Sequence, residues 1–267
     1  MAQNAVRLSA SALRWQSGGV ASARVRVLLA IVGWIGVWWL LAAAQLVPKL
    51  PTPPDQLAAI REQLGTLVDS TLATLLRALG GFTIGGGLGL ALPIALGWNR
   101  YTGAILNTVA DLSRTVPGIA LLPIFLVWFG TGGVTAVALV AAGSFFIVVV
   151  IVAEAIRNVD PLYLRASAAL GATRRRAYSS VVLPAIVPAI VGGLRVGLAA
   201  AVPWAIAGEY LGAQTGLGAI LWRSLQYLQV DRMISVAIFG AMIVVLSDVL
   251  LRTVTRRSTR WVAREET

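Results

Sequence analysis

Two ionisable side chains, Arg195 and Glu209, stand inside one long apolar run. In a single α-helix their 14-residue separation is about 21 Å of rise at nearly the same azimuth, so they cannot pair with each other. An ionisable group in an apolar medium is costly and by default functional. Arg195, toward one end of the run, can snorkel to an interface. Glu209 lies toward the other end beside Gly208 and Gly212, and is the only acidic residue between Asp160 and Asp231. It either lines a path, bridges helices or sits at an interface.

Other chemistry is missing from the side chains. Histidine and cysteine are absent, which removes Cys/His zinc sites, thiol nucleophiles, Ser-His triads and disulfides. Lys49 is the only lysine and lies in Val-Pro-Lys-Leu, so no phosphate loop ending in Gly-Lys-Ser/Thr exists to cradle ATP. An intramembrane enzyme would lack the usual acid/base and nucleophile pairs.

The elements that position these residues are written in the composition. The 267 residues are 58% hydrophobic and 12% charged, with mean hydropathy +0.81, outside the range of soluble domains. The net charge of +11 does not form a stripe suited to nucleic acid; the basic residues flank apolar runs, where they set membrane orientation and meet anionic headgroups.

About six apolar runs of membrane-spanning length fit the chain, at residues 27–48, 71–98, 102–128, 134–154, 184–211 and 234–251. The first has a basic leader and Ala42-Ala43-Ala44, features of a signal peptide, but its apolar core is too long for one and is read as a retained helix. Leu50-Pro51-Thr52-Pro53-Pro54 breaks any helix, and residues 55–69 form a polar extramembrane segment. The uncharged stretch from Thr115 to Ala153 is too long for one crossing and is interrupted by Gly130-Thr131-Gly132-Gly133. The expected organisation is a basic N-terminal segment (1–26), one transmembrane domain (27–252) with a cytoplasmic loop at 157–183, and a basic tail (253–267). With the N-terminus inside, cytoplasmic segments carry sixteen basic residues against four outside (Lys49, Arg61, Arg223 and Arg232), which places both termini in the cytoplasm.

Gly81, Gly85 and Gly89 recur every fourth residue, and Gly193, Gly197 and Ala201 repeat the pattern, so each helix offers bare backbone for close approach within a bundle or across a dimer. Pro93, Pro117, Pro123 and Pro203 at membrane depth fit the kinked helices of a transporter better than an anchor.

The sharpest signal is cytoplasmic. Asp160-Pro161 gives an acidic N-cap with proline at the first helical position, and Gly171 suits a left-handed stop, so 161–170 is a short helix. Leu162, Ala166, Ala169 and Leu170 share one face outside any membrane run, and that face needs a partner. A second segment, Ala172 to Leu183, carries Arg174-Arg175-Arg176 and ends at Pro184.

Leu170-Gly171-Ala172-Thr173, with Leu183-Pro184 twelve residues on, resembles the "EAA" loop of permease subunits of bacterial ABC importers. Leu50-Pro51-Thr52-Pro53, Leu122-Pro123 with Trp128-Phe129-Gly130, Gly193-Leu194-Arg195, and Ala207-Gly208-Glu209 with Gly216-Leu217-Gly218 are similar to the nitrate/sulfonate/taurine permease group. Arg165 and Ser167 depart from the glutamate and alanine that begin the loop motif, and Leu121 from a tryptophan common in the group.

The resemblance implies an all-α membrane protein of about six spans, with a coupling helix between spans 4 and 5 that docks on an ATPase through Leu162, Arg165, Ala166, Ala169, Leu170, Gly171 and Ala172. It also implies a second permease copy, cytoplasmic ATPase subunits that hold ATP and magnesium, an external binding protein, and a small solute, an anion of the group's type. This chain itself would hold no cofactor or metal. Glu209 and Pro123 are the expected gate or pathway residues. A secondary transporter or channel is the alternative, and it would not need the capped cytoplasmic helix.

Overall fold

The computed structural model describes residues 20–115 and 117–255, and every regular element among them is helical. The parts of the basic end segments at 1–19 and 256–267 lie outside the described residues. Among the described residues the chain divides into two compact units, one ending at Ala59 and the other beginning at Ile60.

In the first unit, α1 (Val20–Ala43) stops short of the expected residue 48, where Gln45 takes a left-handed φ of 51°. Its apolar side chains are exposed nearly all round, Trp34 by 76% and Leu40 by 70%, the signature of a helix built for a lipid surround. The indole of Trp38 donates to the carbonyl of Pro51 at 3.1 Å. α2 (Pro53–Glu62) begins with proline in the first turn and Asp55 near its positive end.

The second unit is organised on α3 (Leu64–Leu96), α6 (Gly133–Arg157) and α9 (Leu183–Tyr210). α3 starts seven residues before the expected span, because Leu67 and Ser70 are buried and carry the helix past Asp69. The α3 glycines are where α6 comes close: a Cβ on Gly85 would lie 1.8 Å from the carbonyl oxygen of Ala141, and one on Gly81 2.5 Å from Val140. Gly193 and Gly197 of α9 meet Ile151 and Val148 of the same helix. Both glycine stripes therefore pack within this chain.

The run expected to cross at 102–128 is not one helix. α4 (Arg100–Thr115) ends, a 3₁₀ turn covers Gly118–Leu121, and α5 (Leu122–Phe129) follows, with the chain bent by 88°. Pro117 is extended (φ −70°, ψ 101°) and has no N–H to continue the α4 ladder, while Pro123 sits in the first turn of α5 as a starter and not a kink. α4 is amphipathic: Leu106 and Ala110 are buried in a cluster with Val149 and Ala153 of α6, while Tyr101, Ile105 and Leu112 are exposed.

α7 (Pro161–Ala169) is the expected short helix. The loop expected to run to residue 183 ends earlier, because α8 (Arg174–Ala177), a π-wound turn (Tyr178–Val182) and α9 continue one another. The π turn carries the Leu183 N–H to the carbonyl of Tyr178, and this wider winding comes directly before Pro184, which has no N–H to give to the continuous helix. α10 (Leu217–Gln226) and α11 (Val230–Thr255) complete the unit; α11 exceeds the expected 234–251 at both ends. Among the described residues five helical stretches are long and apolar enough to cross a bilayer, or six if the bent α4–α5 pair is one span.

Candidate functional site

Glu209 is the next-to-last residue of α9 and is fully buried. Its Oε1 accepts from Nη1 of Arg77 at 2.6 Å, and its Oε2 from the Thr74 hydroxyl at 2.8 Å and the Gly218 amide at 3.0 Å. Thr74 and Arg77 are three residues apart on α3, so both reach one carboxylate from the same face. The Thr74 oxygen also accepts from the Leu217 amide at 2.9 Å, and Arg77 donates to the Thr215 carbonyl at 2.7 Å and hydroxyl at 2.8 Å.

The sequence allows this closeness through glycine. Gly216 has φ 111°, and a Cβ there would lie 2.3 Å from the Glu209 carboxyl carbon; one on Gly218 would lie 2.2 Å from the Ile206 carbonyl oxygen. The carboxylate is thus held by donors from α3 and α10, with its partners supplied by protein. Such a group fastens helices; it has no free geometry to act as a base.

Arg195 does not simply snorkel. Its Nε and Nη2 both donate to Oδ1 of Asp248 on α11, at 3.0 and 2.8 Å, with both side chains about one-third exposed.

α7 is capped as its residues demand. Asp160 Oδ1 accepts from the Leu162 amide at 2.8 Å, and at the other end Gly171 takes φ 78° while its amide and that of Ala172 return to the carbonyls of Ala168 and Ser167. Leu162 is 59% and Leu170 88% exposed; Arg165, Ala166 and Ala169 are exposed and Ala172 is half-buried. The opposite side of α7, with Leu164, Ser167 and Ala168, lines a groove of about 400 Å³ together with Trp98, Ile156 and Tyr178.

Pro123 is exposed at the start of α5 and does not join Glu209 through any recorded contact. Arg77 and Asp248 are the residues that sequence reasoning missed, although each is the lone charge of its expected span, 71–98 and 234–251. Tyr178 was missed too. Its hydroxyl donates to the Ile94 carbonyl at 3.0 Å and joins the π turn to the end of α3.

These features define an all-α, multi-pass membrane protein with a buried ion pair and a capped helix outside the apolar runs. Residues 86–263 match the family described as binding-protein-dependent transport system inner membrane component, and the chain belongs to that family: it is a permease subunit of an ABC transporter. The taurine transport system permease protein TauC of Escherichia coli (strain K12) is 31% identical over 236 residues, covering 84% of this chain and 85% of TauC. A protein assigned as an aliphatic sulfonates transport permease, SsuC of Bacillus subtilis (strain 168), is 29% identical over 249 residues, covering 92% of this chain and 88% of SsuC. Among solved structures, a chain of the MetNI methionine ABC transporter in an inward-facing crystal form matches with TM-score 0.55 and 22% identity over 78% of this chain and 99% of that one, a likeness of fold. Family membership favours an ATP-coupled importer over the secondary transporter or channel, and its permease subunits are not themselves enzymes.

Proposed function

We propose that this permease imports a small aliphatic sulfonate, as a homodimer with two cytoplasmic ATPase subunits and with solute delivered by an external binding protein. Both termini face the cytoplasm, and α7 seats in the ATPase. The observation that carries the reading is Leu170, 88% exposed at the end of a helix capped at both ends, on a loop between two apolar helices. Leaving a leucine so exposed costs the protein the benefit of burying it, about 1.5–3 kcal/mol, which a docked subunit recovers. ATP and magnesium bind the partner subunits.

The sulfonate assignment is supported by what TauC and SsuC are named for. A carboxylate directly on the path would repel an anion, so Glu209, neutralised by Arg77, serves to hold the outer gate. The test is ATP hydrolysis by the reconstituted complex with its binding protein, with and without an aliphatic sulfonate. Stimulation by the sulfonate is expected; stimulation only by an uncharged solute would overturn the substrate class.

A further inference from the structure

At the bend between α4 and α5 an open cavity of about 330 Å³ is lined by Ser113, Arg114, Gly118, Gly143, Phe146 and Trp204, with α6 aliphatic side chains completing the wall. Its volume is at the small end of ligand pockets, ~300–1,000 Å³. Trp204 reaches it because two glycines clear the way: a Cβ on Gly118 or on Gly143 would lie 2.7 Å from the indole.

Two of the three polar side chains that line the cavity, Arg114 and Trp204, are donors. Arg114 has five N–H donors, and its recorded partner among the described residues is the Glu154 carboxylate, reached by Nη2 alone at 3.0 Å. Among the described residues the Trp204 indole N–H, which can only donate, has no hydrogen-bond partner. The Ser113 hydroxyl already donates to the Val109 carbonyl at 2.7 Å. Glu154 is outside the lining and lies 3.9 Å from a second cation, Arg157.

We infer that this cavity is a binding site for a small amphiphilic anion, with Arg114 and the Trp204 N–H holding the oxyanion and the Phe146 wall holding the alkyl part. The inference rests on the sulfonate reading above and deepens it. Glu154 competes with the solute for Arg114, so the two members of this ion pair act on binding with opposite signs. An arginine that merely braces α4 against α6 has no such asymmetry.

The experiment is direct binding of radiolabelled ethanesulfonate to the permease–ATPase complex in nanodiscs, without the binding protein. Variants are accepted only if they elute and melt like the wild type. R114Q weakens binding at least ~10-fold, as loss of charge-assisted hydrogen bonds requires, and W204F ~3-fold or more. E154Q tightens it several-fold. Ethyl methyl sulfone, a neutral near-isostere, does not compete. Wild-type binding that R114Q leaves unchanged, or that E154Q and R114Q both weaken alike, overturns this site and leaves the sulfonate reading intact. No wild-type binding while reconstituted vesicles still import ethanesulfonate also overturns the site alone; import of only uncharged solutes overturns both.

Discussion

Removing the Glu209 carboxylate is the sharpest perturbation of the helix contacts. Glu209→Ala leaves the Gly218 amide and the Thr74 hydroxyl without their acceptor and Arg77 without its counter-charge, all at a site where Glu209 is fully buried. Each orphaned neutral donor costs about 1–3 kcal/mol, and breaking a buried ion pair from one side costs about 3–5 kcal/mol. These overlap and do not add. Arg77 keeps both contacts to Thr215 and is 19% exposed, which favours the lower part of the range. A loss of about 3–4 kcal/mol follows, which for a chain of this size lowers Tm by roughly 6–16 °C. Glu209→Gln keeps an acceptor oxygen for two of the donors and should lose about half as much.

Thermal melting of the purified complex in nanodiscs measures this, with uptake assayed on the same preparation. Arg77→Ala leaves the carboxylate buried with only the Thr74 and Gly218 donors, so it should be at least as damaging as Glu209→Ala. The double variant should be less damaging than the sum of the two, since both singles orphan the same pair. Melting within about 2 °C of wild type for both single alanine variants, against the shift expected from the buried pair, would refute the reasoning. Wild-type stability with an altered solute range would instead make Glu209 a selectivity residue.

The same complex tests three other elements. Gly171→Val forces a branched side chain into φ 78°, and Leu170→Asp charges the exposed end of α7; each should abolish solute-stimulated ATP hydrolysis while the permease still inserts, and normal stimulation in both removes α7 as the coupling element. Because cysteine is absent, single cysteines can report topology: Thr52 and Thr131 should label from outside intact cells and Ala166 should not, and external labelling at Ala166 reverses the orientation. Gly85→Ala, whose Cβ would lie 1.8 Å from the Ala141 oxygen, should destabilise by ~1–3 kcal/mol or more, whereas Gly87→Ala, with nothing within 4 Å, should be neutral or mildly stabilising in the same melts.

Much of this architecture is legible in the sequence because lipid is a simple solvent: it demands long apolar helices, and those runs can be counted. The caps of α7 are legible because Asp160, Pro161 and Gly171 each answer a local backbone need. The bend at Pro117 is harder to read. An amphipathic helix followed by a short apolar one has the length of a single span, and the burial of Leu106 and Ala110 with exposure of Ile105 and Leu112 marks α4 as a separate helix. The early start of α3 was hidden by Asp69, a charge that sequence reasoning treats as extramembrane although its neighbour Ser70 is buried.

The ion pairs follow a rule that makes them legible in retrospect. Arg77, Arg195, Glu209 and Asp248 are the charges inside four-turn or longer apolar stretches of α3, α9 and α11, two positive and two negative, and the structure pairs them as Arg77 with Glu209 and Arg195 with Asp248. The 14-residue gap on α9 forbids pairing within that helix, so each charge must find its opposite on a different neighbour. α9 is consequently tied to α3 near one end and to α11 about 21 Å away. The two ties are unequal. Glu209 has no contact with solvent and three donors, whereas Arg195 and Asp248 are each about one-third exposed and meet through a single carboxylate oxygen. Water or headgroups can replace the second tie at small cost and cannot reach the carboxylate of the first. Of the two charge ties on α9, the one around Glu209, which joins α3, α9 and α10, is therefore the stronger.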